Sequence, residues 1–224
     1  IMQTSISDNQ SYPSFCLAAA LEQRIFDNFR RNPVYLQILE HVTPDEGATY
    51  LEIIKAKYAN LLINLPKYLK NDTIGSPYTY DYGFGNISPT TLRYIKVLGE
   101  INNYCGDLTG LDIVEIGCGY GGQCKVILDT FNVKSYTLID LNPVLSLTKK
   151  FLNSFDLDHS KIFYKTLANL DEKEYDLCIS NYAFTECTKQ IQRQYLDKVI
   201  LKSKSGYITA NFINDIFNLD YYNL

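Results

Sequence analysis

Long hydrophobic runs are absent from this 224-residue sequence, where no stretch approaches the roughly 18 apolar residues that a membrane-spanning helix requires. Basic residues are not in excess either, since 21 Lys and Arg stand against 25 Asp and Glu. A duplex-binding protein usually carries a basic face, so nucleic acid is not an expected partner. Residues 1–10 also lack the basic start and apolar centre of a signal peptide.

Metal-binding and disulfide patterns are lacking as well. The two histidines, His41 and His159, lie far apart, and none of the six cysteines forms a Cys-x-x-Cys pair. A structural zinc site is therefore not expected, and we predict no metal. Several cysteines fall inside apolar segments that should be buried, which favours free thiols and a cytoplasmic protein.

What the sequence does have is a globular composition, with 46% apolar and 21% charged residues. Before about residue 110 the apolar periodicity is helical. Thr43 and Glu46 form a capping-box pattern, and Ser88 is a second N-cap candidate. We predict helices over residues 15–31, 34–41 and 44–64, a loop over 71–87 and a further helix after Ser88.

After about residue 110 the pattern changes to alternating strands and helices. The predicted strands cover residues 111–116, 135–140, 161–165, 175–180 and 206–212, and the predicted helices cover 123–131, 143–155 and 188–204. Such alternation builds a doubly wound, mostly parallel α/β sheet. We expect a helical N-terminal extension or lid over residues 1–87 and a ligand-binding α/β domain over 88–224.

A glycine-rich loop follows the first predicted strand. The segment reads Val-Glu-Ile-Gly-Cys-Gly-Tyr-Gly-Gly over residues 114–122, which permits a sharp turn and close approach of a ligand to the backbone. Asp140 ends the second strand 21 positions after Gly119, where a carboxylate would hold ribose hydroxyls. The spacing of Gly117, Gly119 and Gly122 also fits a dinucleotide, so the loop alone leaves NAD and other adenosine cofactors open.

Glu115 favours a cofactor without phosphates, because its carboxylate would repel a pyrophosphate. The Glu-x-Gly-x-Gly-x-Gly run, the later Leu-Ile-Asp-Leu-Asn-Pro and residues 174–186 together resemble class I S-adenosylmethionine-dependent methyltransferases. That resemblance implies a seven-stranded sheet. Only about a dozen residues follow Phe212, so we expect the last two strands to be missing or truncated.

Shorter blocks resemble the bacterial sugar O-methyltransferases associated with surface polysaccharide synthesis. They are residues 39–47, 88–94, 182–186 and 206–211. This resemblance implies transfer of a methyl group to a hydroxyl of a nucleotide-sugar or surface glycan.

The resemblances also imply roles for individual residues. Residues expected at S-adenosylmethionine are Glu115, Gly117, Cys118, Gly119, Gly121, Asp140, Leu141, Thr166, Leu167, Asn181 and Tyr182. His41 and Glu186 are candidate bases for the hydroxyl proton, and Arg93 and Tyr182 are candidate substrate contacts. Core packing explains Leu141 and Leu167 equally well, and helix-end charge effects would explain His41 and Glu186.

Two other functions stay open at this point. A non-catalytic methyltransferase-like module would explain the short C-terminus, and an NAD-dependent oxidoreductase would explain the glycine spacing. A nucleic-acid methyltransferase is disfavoured, because Asn-Tyr-Ala-Phe stands where an Asn-Pro-Pro-Tyr motif would follow the fourth strand.

Overall fold

Two hydroxyl side chains begin the longest helices. In the computed structural model, which describes residues 10–211, Thr43 Oγ1 accepts a hydrogen bond from the Glu46 backbone N–H. The Glu46 carboxylate accepts one from the Thr43 N–H at 2.7 Å, which completes the capping box. Ser88 caps the next long helix by accepting from the Thr91 N–H at 3.1 Å. Both capping predictions are confirmed.

The N-terminal region contains six α-helices and a small hairpin. The helices are α1 (Ser11–Leu21), α2 (Gln23–Phe26), α3 (Pro33–Ile38), α4 (Pro44–Lys57), α5 (Leu65–Tyr68) and α6 (Pro89–Cys105). Short 3₁₀ turns cover Phe29–Arg31, Ala59–Asn64 and Leu69–Thr73. Within the predicted loop, β1 (Tyr80–Asp81) and β2 (Asn86–Ile87) pair in antiparallel fashion.

Three predicted helices in this region are too long, and the one over residues 34–41 ends at Ile38. The other two fail for a reason that the structure shows. The one over residues 15–31 breaks at Glu22, whose backbone is extended, and this turns Phe26 and Phe29 into the core where their rings stack. The one over residues 44–64 ends at Lys57, because the Tyr58 ring packs closely against Gly99 of α6. Packing of aromatic rings overrides the helical periodicity in both places.

A five-stranded parallel sheet forms the rest of the described chain. Its strands are β3 (Asp112–Ile116), β4 (Ser135–Ile139), β5 (Ile162–Lys165), β6 (Tyr175–Asn181) and β7 (Ser203–Thr209), in the order β5–β4–β3–β6–β7. The connecting helices are α7 (Gly122–Leu128), α8 (Asn142–Leu152), α9 (Ala183–Glu186) and α10 (Lys189–Lys198), with 3₁₀ turns at His159–Lys161 and Ile200–Lys202. The predicted doubly wound α/β fold with N-terminal helices is confirmed.

The C-terminal boundaries differ from the sequence prediction. The helix predicted over 188–204 ends at Lys198, where Val199 is buried, and the last strand begins at Ser203 rather than residue 206. The prediction about missing strands after Phe212 lies outside the described residues.

Alternate residues of the strands pack on opposite faces of the sheet. Ile113, Leu138 and Leu177 belong to the core shared with the N-terminal helices, α7 and α8. Val114 and Cys178 pack on the other face with residues of α9 and α10. Helices therefore cover both faces, as the continuous apolar strands require.

Arg30 connects the N-terminal helices to the sheet domain. Its buried guanidinium donates to Glu40 at 2.5 Å, to Asp72 at 2.9 Å and to Ser88 Oγ at 3.1 Å. The guanidinium carbon also lies 4.8 Å from the centre of the Tyr120 ring, in the glycine-rich loop. The segment before residue 41 is thus fixed against that loop.

Within residues 10–211, every helix is too short or too polar to cross a lipid bilayer.

Candidate functional site

The strand order reverses beside β3. From β3 the chain passes through α7 to β4 on one side, whereas β6, its other neighbour, leads through α9 and α10 to β7. The carboxyl ends of β3 and β6 therefore diverge at a topological switch point. In open parallel sheets, ligands bind in the crevice at this point.

The glycine-rich loop turns above the end of β3. Gly117 and Gly119 have backbone φ angles of +74° and +53°, which L-residues with a side chain rarely adopt. A Cβ on Gly117 would collide with the Ala183 side chain, and one on Gly119 would lie 2.8 Å from Leu39 Cδ1. Glycine at both positions is thus required by the backbone and by close packing.

A cavity of about 1010 Å³ opens at this edge of the sheet. Every residue predicted for the site except Gly121 lines it. Gly121 instead has φ of +88° and is the N-cap of α7, where a Cβ would lie 2.9 Å from Thr148 Cγ2. The structure thus gathers side chains that lie as much as 145 positions apart, from His41 to Glu186. Their individual roles stay predictions.

Glu115 is a buried carboxyl group in the cavity wall. Burial raises its pKa to about 8, and the hydrogen bond that Tyr136 Oη donates to Oε2 at 2.8 Å offsets part of that shift. A carboxyl group in this state gains its charge readily when a cation enters the site. The position therefore suits a positively charged ligand group.

Asp140 joins the end of β4 to the glycine-rich loop. Its Oδ2 accepts from the Gly119 N–H at 3.2 Å and its Oδ1 from the Leu141 N–H at 2.8 Å. Burial raises the pKa of Asp140 to about 6, against the lowering effect of these two N–H groups. Cys118 Sγ is a further donor to Oδ2, so Oδ1 is the oxygen that keeps a lone pair, which a ribose hydroxyl would fill.

Four of the predicted cofactor contacts range from exposed to buried. Leu141 is exposed at the cavity edge, which argues against ordinary core packing, whereas Leu167 is half-buried beside the core under α10. Thr166 is half-buried, and its N–H donates to Asn169 Oδ1 at 2.6 Å. Cys118 is buried with its Sγ 3.8 Å from Asp140 Oδ2.

Asn181 and Tyr182 end β6 at the cavity. Thr209 Oγ1 donates to Asn181 Oδ1 at 3.1 Å, and the buried Asn181 Nδ2 has no hydrogen-bond partner within residues 10–211. Tyr182 has φ of +70°, which is strained for a tyrosine. An unsatisfied donor and a strained backbone lie side by side here, as is common at ligand sites.

The two candidate bases occupy the cavity rim. His41 lies three residues beyond the end of α3, and enclosure of its ring lowers its pKa, with Arg93 adding a second lowering effect. Glu186 is half-buried and accepts from Asn211 Nδ2 at 2.6 Å. At neutral pH His41 is therefore an uncharged imidazole, able to accept a proton.

Several lining residues were not among those predicted for the site from the sequence. Tyr12 from α1, Leu39 after α3 and Asn211 after β7 all line the cavity, as does Tyr195 of α10. They arrive through long-range packing that sequence periodicity does not encode. In the part of the chain that the structure describes, no group of three His, Cys, Asp or Glu side chains is arranged for a metal ion.

The chain was compared with known proteins. No family model and no curated protein matches the chain. Similar solved structures include phosphoethanolamine N-methyltransferase 1 from Haemonchus contortus, in complex with phosphoethanolamine and S-adenosylhomocysteine (17% identity, TM-score 0.41). The mitomycin 7-O-methyltransferase MmcR (16%, 0.41) and protein 1320 of Thermoplasma acidophilum (22%, 0.43) are also similar.

The matches are partial on both sides. The Haemonchus contortus match covers 53% of this chain and 26% of that chain. The MmcR match covers 58% of this chain and 41% of that chain. The Thermoplasma acidophilum match covers 54% of this chain and 62% of that chain. The chain thus spans less than two thirds of each of these structures. Because identities are below 25% and TM-scores below 0.5, we assign the fold from the strand order itself.

Proposed function

We propose that the protein is an S-adenosylmethionine-dependent O-methyltransferase that acts on a hydroxyl of a sugar, in a nucleotide-sugar or a surface glycan. The observation that carries the proposal is the convergence of Glu115, the glycine-rich loop, Asp140 and Asn181 on one cavity at the switch point. Each of these offers a different kind of contact, and together they match the parts of one ligand.

The cavity residues fit the cofactor part by part. Glu115 would face the amino group, because a cation there would restore the charge that burial suppresses. Gly117 and Gly119 would let the chain of the methionine pass close to the backbone, and Asp140 would accept from the ribose hydroxyls. Asn181 Nδ2, which has no partner within residues 10–211, would donate to an acceptor atom of a ligand. When bound, the cofactor supplies an already activated methyl group.

The remaining work of the protein is to orient a hydroxyl and receive its proton. Proximity and alignment contribute most of the rate in such a transfer. His41 is the leading candidate base, because its neutral imidazole borders the cavity, and Glu186 is the second candidate. We also propose that residues 1–87 act as a lid, since Leu39 and His41 stand over the glycine-rich loop and the cavity.

The proposal that the methyl acceptor is a sugar is supported by the four sequence blocks that resemble sugar O-methyltransferases. All four contribute to the cavity lining: His41 from residues 39–47, Arg93 from 88–94, Tyr182 from 182–186 and Asn211 from 206–211. Blocks so distant in sequence would share one cavity if they served one substrate.

We propose a cytoplasmic location, in keeping with the six unpaired cysteines.

Mass spectrometry would test the activity. The purified chain is incubated with S-adenosylmethionine and a panel of nucleotide-sugars and glycans, and a gain of one methylene is sought. Calorimetric titration with S-adenosylhomocysteine and with NAD runs in parallel. Binding of NAD alone would favour an oxidoreductase, and cofactor binding without any methylated product would favour a non-catalytic module.

A further inference from the structure

One buried arginine lines the cavity and another lies beside it, and only the second is paired with carboxylates. Arg30 is fully buried and pairs with two carboxylates, Glu40 at 2.5 Å and Asp72 at 2.9 Å. Arg93 is also buried, with 7% of its surface exposed, and lines the cavity, yet it forms no ion pair with any carboxylate of residues 10–211. A buried charge is costly unless it is paired, so a cavity-facing arginine without a carboxylate indicates that an anion arrives with a ligand.

The contacts of Arg93 orient the guanidinium without neutralising it. Its Nη2 donates to the Leu39 carbonyl oxygen at 3.3 Å. The rings of Tyr94 and Tyr182 lie with their centres 5.6 and 5.8 Å from its Cζ. A guanidinium has five N–H donors, and one of them has a partner among the described residues. The group is held in position and most of its hydrogen-bonding capacity remains available.

Arg93 belongs to the side of the cavity where the candidate base lies. It contributes to the lowered pKa of His41, together with burial, and Glu46, Glu186 and Glu40 act on His41 in the opposite direction. The pKa of Glu115, in contrast, is set by burial, Tyr136 and Asp140. Arg93 therefore lies near His41, Glu46 and Tyr182, whereas no arginine is among the groups that shift the pKa of Glu115.

We propose that Arg93 binds an anionic group of the acceptor, a carboxylate or a phosphate, so that the methylated substrate is an acidic sugar. The proposal deepens the proposed function and rests on it. The planar guanidinium can hold either anion through two parallel hydrogen bonds. With the anion at Arg93, the hydroxyls of the sugar ring lie towards His41 and Tyr182. A uronic acid and a sugar phosphate are the two sources of such an anion.

A binding experiment with matched sugars tests the proposal. The protein is saturated with S-adenosylhomocysteine, and glucuronate, glucose 6-phosphate and neutral glucose are titrated by calorimetry. We expect at least one anionic sugar to bind ten times or more tightly than glucose, and the stronger of the two identifies the anion. In Arg93→Met this preference should disappear. Equal affinity for all three sugars would overturn the proposal.

Two control variants and one further titration accompany that experiment. Arg193→Met removes an exposed arginine of α10 and should leave the preference intact. Arg93→Lys retains the charge and should retain part of the preference. S-adenosylhomocysteine affinity should stay within about twofold in Arg93→Met, which also shows that the variant folds. A tenfold loss of that affinity with an unchanged sugar preference would place the methionine carboxylate at Arg93 and overturn the proposal.

The methyl-transfer assay separates this proposal from the proposed function. If neutral sugars gain a methyl group and anionic ones do not, the sugar methyltransferase stands and the anion site is rejected. If Arg93 confers preference for anionic sugars while no sugar is methylated, the anion site stands and the proposed function fails.

Discussion

Tyr136 Oη donates a 2.8 Å hydrogen bond to Glu115 Oε2, from one strand of the sheet to its neighbour. Both side chains are buried, and the carboxyl group borders the cavity. The tyrosine stabilises the charged form of Glu115, but burial has the larger effect and the pKa rises to about 8. The charge of this glutamate thus depends on what occupies the cavity.

The pH dependence of stability should reveal Glu115. Its pKa is about 8 in the folded protein against an ordinary 4.5, so the unfolded chain loses the proton first as pH rises. The resulting contribution to stability is fully present below about pH 4.5 and is lost as pH rises towards 8. Asp140 acts in the same direction over a lower range, because its pKa rises from 3.8 to about 6.

We therefore expect thermal unfolding temperatures of wild type without cofactor to fall more steeply from about pH 5 to 8 than those of Glu115→Gln. The extra loss in the free energy of unfolding of wild type over this range should be a few kcal/mol at most, since one pKa unit corresponds to about 1.4 kcal/mol. Glu52→Gln, which changes an exposed glutamate of α4, should behave as wild type. Parallel curves for wild type and Glu115→Gln would contradict the raised pKa.

Asp140→Asn should weaken cofactor binding by at least tenfold. Charge-assisted hydrogen bonds contribute about 1.5 to 3 kcal/mol each, and about 1.4 kcal/mol corresponds to a tenfold change. Asparagine preserves the shape of the side chain and an acceptor for the Gly119 N–H, so the loop should keep its conformation. Calorimetric titration with S-adenosylhomocysteine measures the effect.

Asp171→Asn serves as the matched control, because Asp171 is exposed and pairs with Lys165 away from the cavity. Its affinity for S-adenosylhomocysteine should equal that of wild type. Wild-type affinity in Asp140→Asn would remove this residue from the cofactor site.

The sequence was informative for features that follow from secondary structure alone. Parallel strands end at one edge of a sheet, so Gly117, Asp140 and Asn181 could be expected to lie together from strand ends alone. The capping box of Thr43 and Glu46 is equally local, because its members are three residues apart. Such features need only the secondary structure to be assigned correctly.

Features that depend on contacts between residues far apart in the sequence could not be predicted. Arg30 pairs with Asp72, which lies 42 positions later in the sequence, and Leu39 packs against Gly119. Neither pairing leaves a periodic pattern. The break at Glu22 was hidden because apolar residues continue on both sides of it. The positive φ of Tyr182 was equally hidden, since no glycine or asparagine stands at that position to indicate it.

His41→Ala should reduce turnover by roughly 10²-fold or more and leave S-adenosylhomocysteine affinity unchanged, if the imidazole receives the hydroxyl proton. The lowered pKa of His41 adds a second expectation. The acidic limb of the pH profile of kcat/KM should lie below pH 6.5, because the imidazole stays uncharged to lower pH.

The chain supplies its own control for this variant. His159 is the other histidine, and it is exposed with its ring 3.3 Å from the Phe155 carbonyl oxygen. His159→Ala should have normal turnover. Near-normal turnover in His41→Ala would leave Glu186 as the candidate base.

Tyr182 offers a test of strain at the site. Its φ of +70° costs a non-glycine residue on the order of 1–3 kcal/mol, which glycine avoids. Tyr182→Gly and Tyr182→Ala both remove the ring that lies against Arg93, so they differ chiefly in backbone strain. We expect Tyr182→Gly to be more stable than Tyr182→Ala by about 1 kcal/mol in urea unfolding. Turnover should fall at least tenfold in both, because the side chain that borders Arg93 is lost. Equal stability of the two variants would show that position 182 relaxes in solution, and retained turnover would remove Tyr182 from the site.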